Sequence, residues 1–188
     1  AGGSQPLRAA DGGLVLAGNG EIYNHRELKA ELAQDYAFQT GSDCEVINAL
    51  YREDAPASFL NRLNGIFAFA LWDKANGRTL IARDPIGVCP LYWGHDREGR
   101  LCVASEMKAL SPICADGAQF PPGHYYDSAT RELVKYYATA WREYSAVDGV
   151  QLAKDELREA FERAVHRQLM TDVPYGVLLS GGLDSSLV

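Results

Sequence analysis

The chain has 188 residues, 47% of them hydrophobic and 23% charged, and a formal net charge of −7. That is enough for one full domain and part of another, with the balance of a folded chain rather than a disordered one. Acids outnumber scattered Lys and Arg, and the longest strongly apolar run, residues 66–72, is far shorter than the roughly 20 that span a bilayer, so neither nucleic acid nor a membrane is an expected partner. The first residues carry no basic-then-apolar leader pattern, which predicts a cytoplasmic protein. Cys44, Cys89, Cys102 and Cys114 are widely spaced and without a CxxC pair, and read as reduced packing thiols.

In chain order, residues 14–17 read as a short strand broken by a turn at Gly18-Asn19-Gly20. Asn24 with Glu27 has the spacing of a capping box, and Leu28 and Leu32 give the helix that follows an apolar face. Ser42 with Glu45 repeats the device before a second helix that turns Val46, Ile47, Leu50 and Tyr51 inward, with Asp43 in its first turn. Strands over 65–73 and 78–83 flank Asn76-Gly77, a strong hairpin signal. Further antiparallel strands are expected over 90–94, 100–105, 123–126 and 133–137, so an antiparallel α+β domain ends between residues 137 and 149. A helix over 154–169 follows, with acids at its start and Arg163, His166 and Arg167 near its end, as the helix dipole favours. The apolar stretch 175–179 then reads as a buried strand that hands over to a helix through Ser180–Ser186, SGGLDSS.

That loop is suited to phosphate. Two glycines let backbone approach a ligand, serine hydroxyls and N–H groups donate, and an incipient helix N-terminus favours negative charge. Asp184 would be repelled by phosphate unless a cation lay between them, which suggests Mg²⁺. Upstream, Asn19-Gly20-Glu21 offers an amide side chain beside a glycine N–H, the kit for an oxyanion hole, although a turn feeding a helix cap explains the same residues. Glu21 and Asp43 are equally open between helix-terminus partners and ligands for a substrate amino group.

Set together and in order, NGEIYNH, GSDCE, LNGIFAFALWD, RDPIGVCPLYW, ASEMKAL and VPYGVLLSGGLDSS closely resemble the glutamine-hydrolysing asparagine synthetases over nearly the whole chain. The resemblance implies an N-terminal-nucleophile-type αββα glutaminase domain over 1–140 that lacks its first segment. It also implies the first helix, strand and phosphate loop of an α/β ATP-pyrophosphatase domain, of the adenine nucleotide α-hydrolase kind, over 150–188. Glutamine, aspartate and ATP are the implied small-molecule substrates, with Mg²⁺ as the metal, ammonia passed through an internal tunnel, β-aspartyl adenylate as the activated acceptor, and room for a homodimer. By matching motif, Asn19 and Gly20 would form the oxyanion hole, and Asn19, Gly20, Glu21 and Asp43 would hold glutamine. Leu179 would touch the nucleotide, Ser180, Gly181, Gly182, Asp184 and Ser185 would grip the ATP pyrophosphate, and Asp184 would stand near Mg²⁺.

The family's nucleophile is a cysteine at the first position of the mature chain, where this chain has Ala1, and its glutamine-binding Arg also has no counterpart before Ser4. The chain therefore reads as an internal fragment, inactive by itself. Cys44 beside Asp43 lies in a predicted helix with no adjacent base, and reads as packing. A β-lactam-synthetase-like cyclising relative and a non-catalytic glutamine-binding domain are the rivals; Asn19, Gly20, Glu21 and Asp43 argue against the first. Arg83-Asp84 reads chiefly as a self-satisfied turn, with an interface or tunnel role as its alternative, and Glu106 and Lys108 are read the same way.

Overall fold

The computed structural model describes residues 3–151, 153–171 and 173–188, and divides into two units, Ala1–Ala138 and Thr139–Val188. Ala1, where the family pattern puts its nucleophile, lies outside the described residues.

In the first unit β1 (Leu7–Arg8) and β2 (Leu14–Ile22) precede α1 (His25–Leu32). A 3-10 turn at Asp43–Glu45 runs into α2 (Val46–Glu53), followed by α3 (Pro56–Arg62). Then come β3 (Gly65–Asp73), β4 (Arg78–Arg83), β5 (Tyr92–His95), β6 (Leu101–Ala104), α4 (Met107–Leu110), β7 (Ala118–Gln119), β8 (His124–Asp127) and β9 (Glu132–Lys135). Two antiparallel sheets result, in the orders β1-β2-β3-β4-β8-β9 and β6-β5-β7.

The period-2 alternation of β3 explains how the sheets stack. Phe67, Phe69 and Leu71 join Leu14, Leu16 and Leu80 in a core closed by Leu28 and Leu32 of α1, Ile47 and Leu50 of α2, and Phe59 of α3. The intervening Ile66, Ala68 and Ala70 face the other way, into a smaller core with Ile81, Leu91, Trp93 and Phe120. With α4 against the second sheet, the layers run helix, sheet, sheet, helix, the expected αββα order.

Several local expectations change. The first strand does not stop at a turn: β2 continues through Gly18-Asn19-Gly20 to Ile22, paired with β3 along its whole length. Gly20 keeps a positive φ of 142° within the ladder, and a Cβ there would lie 2.1 Å from the Ile66 carbonyl oxygen. Gly65, two residue pairs further along the ladder and opposite Ile22, has the reciprocal contact at 2.1 Å from the Glu21 oxygen. The glycines thus serve a close approach of two strands, not a turn. Neither capping box forms. The Asn24 amide instead donates to Arg62 O at 2.9 Å and accepts from Asn64 N at 3.0 Å, fastening the start of α1 to the α3–β3 connection. α3 and α4 carry no periodicity long enough to be read in advance, and both emerge from packing.

The second unit contains α5 (Tyr144–Val147), α6 (Lys154–Gln168), close to its expected span, and α7 (Leu183–Leu187). The expected strand over 175–179 is absent. Val177, Leu178 and Leu179 are exposed, and among the described residues of this unit no strand exists to hydrogen-bond with them, which a parallel strand requires. Among the described residues no helix is long and apolar enough to cross a membrane.

Candidate active site

The outer edge of β2 carries the first group of expected site residues. Its N–H groups alternate between β3 and the open edge. Gly18 turns outward: the Gln5 side-chain amide accepts its N–H at 2.8 Å and donates to its carbonyl at 2.5 Å, standing in for a neighbouring strand. Ile22 also turns outward, donating its N–H to Asp43 Oδ2 at 2.6 Å. Gly20 has the same parity and lies between them, so its N–H faces an edge where Gln5 and Asp43 occupy only the flanking positions.

The side chains of Asn19 and Glu21 belong to the opposite parity and are exposed on the face of β2 that looks toward the second sheet. There Asn19 borders a cleft of about 230 Å³ between the sheets, lined also by Ala17, Ala68, Leu91, Val103 and Ser105. Asp43 reaches this end of β2 because the 3-10 turn packs against the strand. Its Oδ1 accepts from no backbone N–H among the described residues. Asn19, Gly20, Glu21 and Asp43, up to 24 positions apart in the chain, therefore share one end of one strand. An amide, an outward N–H and two carboxylates there can meet a carbonyl oxygen and an ammonium of one small zwitterion.

Cys44 points back into the fold, with its Sγ 3.8 Å from Gly20 O. Burial, then the Asp43 charge, pushes its thiol up to about 12, so it stays protonated and unreactive at neutral pH. It sits in the 3-10 turn rather than in a regular helix.

Arg83 and Asp84 are satisfied mostly by the backbone of the loop that follows them, with one partner each from elsewhere in the fold. Asp84 accepts the N–H groups of Ile86, Gly87, Val88 and Cys89 at 2.6–3.1 Å and that of Phe67 at 3.3 Å. Arg83 donates to the carbonyls of Gly87, Cys89 and Phe120 at 2.7–2.8 Å. Both are buried and neither side chain opens to a ligand. Glu106 and Lys108 form an exposed ion pair.

In the second unit Ser180–Ser186 forms a tight loop into α7. Gly181 takes a positive φ of 78°, and Ser180 Oγ lies 2.8 Å from Ser185 Oγ. Gly182 N donates to Ser180 Oγ at 3.4 Å, and Ser186 Oγ donates to Gly182 O at 2.7 Å. Asp184 is in the first turn of α7, and Leu179 precedes the loop, exposed. The donor set suits a phosphate group. Among the described residues no group of three or more His, Cys, Asp or Glu side chains is placed to hold a metal ion.

Sequence reading missed Gln5 and the close approach at Gly65. Nothing local to Gln5 announces its partner 13 residues on. Gly65 could have been flagged as the glycine that opens an apolar strand.

Two stacked antiparallel sheets flanked by helices, with a polar cluster at an open strand edge, define the class. Residues 1–112 match the family model described as a glutamine amidotransferase domain, and the chain belongs to that family. Residues 156–188 match a second family model, asparagine synthase. Among similar proteins, asparagine synthetase B [glutamine-hydrolyzing] of Escherichia coli (strain K12) is 54% identical over 186 residues, covering 99% of this chain and 33% of that protein. The asparagine synthetase [glutamine-hydrolyzing] of Zea mays is 51% identical over 186 residues, covering 99% of this chain and 31% of that protein. The chain thus spans about a third of the length of the curated relatives it matches. Among solved structures, glutamine phosphoribosylpyrophosphate amidotransferase from B. subtilis is similar with a TM-score of 0.60 and 29% identity, over 72% of this chain and 32% of that one.

Proposed function

We propose that this chain is part of a glutamine-dependent asparagine synthetase that converts aspartate, glutamine, ATP and water to asparagine, glutamate, AMP and pyrophosphate. Residues 1–140 would be its type 2 glutamine amidotransferase domain and residues 150–188 the start of its ATP-binding domain. The observation that carries this reading is the site on β2: Asp43 tied to Ile22 N–H at 2.6 Å beside Glu21, with Gly20 N–H turned to the open edge.

In this reading Glu21 and Asp43 take the α-ammonium of glutamine. Asn19 and Gly20 N–H donate to the amide oxygen as it gains negative charge, an effect worth about 3–4 kcal/mol per donor. The cleft between the sheets lies beside Asn19. In the second unit, Ser180, Gly181, Gly182 and Ser185 would hold the ATP pyrophosphate, Leu179 the nucleotide and Asp184 a Mg²⁺ ion. Bound ATP supplies the adenylyl group for carboxylate activation, and Mg²⁺ screens the phosphate charge. A cytoplasmic setting and a homodimer belong to the same proposal.

The test uses the full-length protein that carries this chain, incubated with aspartate, glutamine, ATP and Mg²⁺. Asparagine and glutamate should form in equal amounts, with AMP and pyrophosphate, and Asp43→Asn should raise the KM for glutamine at least tenfold. Release of ADP instead of AMP, or glutamine-independent turnover only, would overturn the proposal.

A further inference from the structure

Glu45 is fully buried, yet among the described residues it makes no ion pair. A buried carboxylate is costly unless several hydrogen bonds replace its water. Here the donors all belong to one short segment: Gln39 N at 2.7 Å on Oε1, and Thr40 N at 2.7 Å and Thr40 Oγ1 at 2.6 Å on Oε2. Thr40 Oγ1 in turn accepts Ser42 N at 3.1 Å. The chain leaves Ser42 in extended geometry, with ψ 135°, and enters the 3-10 turn at Asp43. Asp43 then closes the circuit onto Ile22 N.

The segment 39–43 contains Gly41 and would otherwise be a mobile connection between α1 and the 3-10 turn. Glu45 lies on the far side of Cys44 from Asp43, so it anchors the segment from within the core while Asp43 faces the strand edge. Two carboxylates separated by one residue thus have opposite assignments. One is saturated by protein donors, and the other keeps an oxygen that no backbone N–H claims.

We propose that Glu45, acting through Thr40, is a positioning residue: it fixes 39–43 so that Asp43 presents its carboxylate beside Glu21 to the α-ammonium of glutamine. The proposal rests on the glutamine site proposed above. Glu45 does not touch the substrate, and its contribution appears in glutamine binding rather than in turnover.

The experiment compares Glu45→Gln, Thr40→Val and Thr40→Ser with wild type in the full-length protein. Glu45→Gln places an NH₂ group against N–H donors, Thr40→Val removes the hydroxyl relay, and Thr40→Ser retains it. The first two should raise the KM for glutamine about tenfold, equivalent to 1.4 kcal/mol, with kcat within twofold and asparagine formation from added ammonia unchanged. Thr40→Ser should keep the wild-type KM. In the 188-residue chain, amide exchange at Ile22 should accelerate in Glu45→Gln and Thr40→Val but not in Thr40→Ser. An unchanged KM in both disruptive variants, or a parallel fall in glutamine-supported and ammonia-supported activity, would overturn the positioning role. A wild-type protein that ignores glutamine would overturn the substrate assignment, and exchange at Ile22 would still decide whether Glu45 places Asp43.

Discussion

Gly20 is where a single residue type decides both fold and site. Its positive φ and its 2.1 Å approach to Ile66 O leave no space for a side chain, whereas Gly77, with φ 59°, has open space around its Cβ position. Gly77→Ala should therefore cost only the left-handed strain, about 1–2 kcal/mol. Gly20→Ala should cost about 3 kcal/mol or more, because backbone strain adds to a clash with backbone that cannot swing away. Urea denaturation of both variants checks this, read as a shift in midpoint at constant slope. Equal losses would mean that the strands can part at Gly20 without penalty. Asp43 and Glu45 make a related point at the same scale: residues two apart in sequence differ in role because only one of them faces the core.

At the scale of elements, β4 and β8 are fastened side by side by Arg78 and Asp127. The guanidinium donates from Nε and Nη2 at 2.9 and 2.5 Å, and Ala129 N adds a third bond at 2.9 Å. Burial raises the Asp127 pKa, but the Arg78 and Ala129 hydrogen bonds outweigh it and hold the carboxyl below its usual value. The stability it contributes is therefore complete above the unfolded value of about 3.9 and is lost as pH falls through the lower folded value. Arg78→Ala should cost about 2 kcal/mol at pH 7, less than for a fully buried pair because Arg78 is 28% exposed. Wild type and variant should then converge as acid protonates Asp127. Thermal melts between pH 7 and pH 2 measure this, and a constant gap across that range would refute the account. The loop after β4 uses the same chemistry for another end, with Asp84 gathering successive N–H groups that no sheet partner satisfies.

For the whole molecule, the two units differ in what they bury. The first has two hydrophobic cores, while α6 and α7 of the second contain no buried residue, and Leu157 and Phe161 of α6 are exposed, as is Leu169 just after it. Residues 141–151 are exposed throughout. Limited proteolysis of the 188-residue chain should cut first within 139–151 and leave a resistant fragment that keeps the main cooperative melting transition. Residues 139–188 prepared alone should melt without cooperativity by circular dichroism. Early cuts within 1–138 would contradict this division.

The sequence by itself determined the antiparallel α+β character, the Asn76-Gly77 hairpin, the long helix and the motifs that carry the family. Each of these rests on local periodicity, on turn chemistry or on a contiguous string of residues. It also placed Asn19, Gly20, Glu21 and Asp43 in motifs, but left every one with two readings. Only tertiary structure shows where they lie, because the contacts that place them are long-range. Gly20 is strand rather than turn since β3 pairs with it through Phe67, and Asp43 reaches β2 since its turn packs there. Glu45 stands directly before α2, yet it does not cap the helix because its buried carboxylate is taken up by Gln39 N, Thr40 N and Thr40 Oγ1. The stretch 175–179 makes the same case from the opposite side: its apolar run specifies a strand, yet strand geometry needs a hydrogen-bonding neighbour that no local pattern can supply.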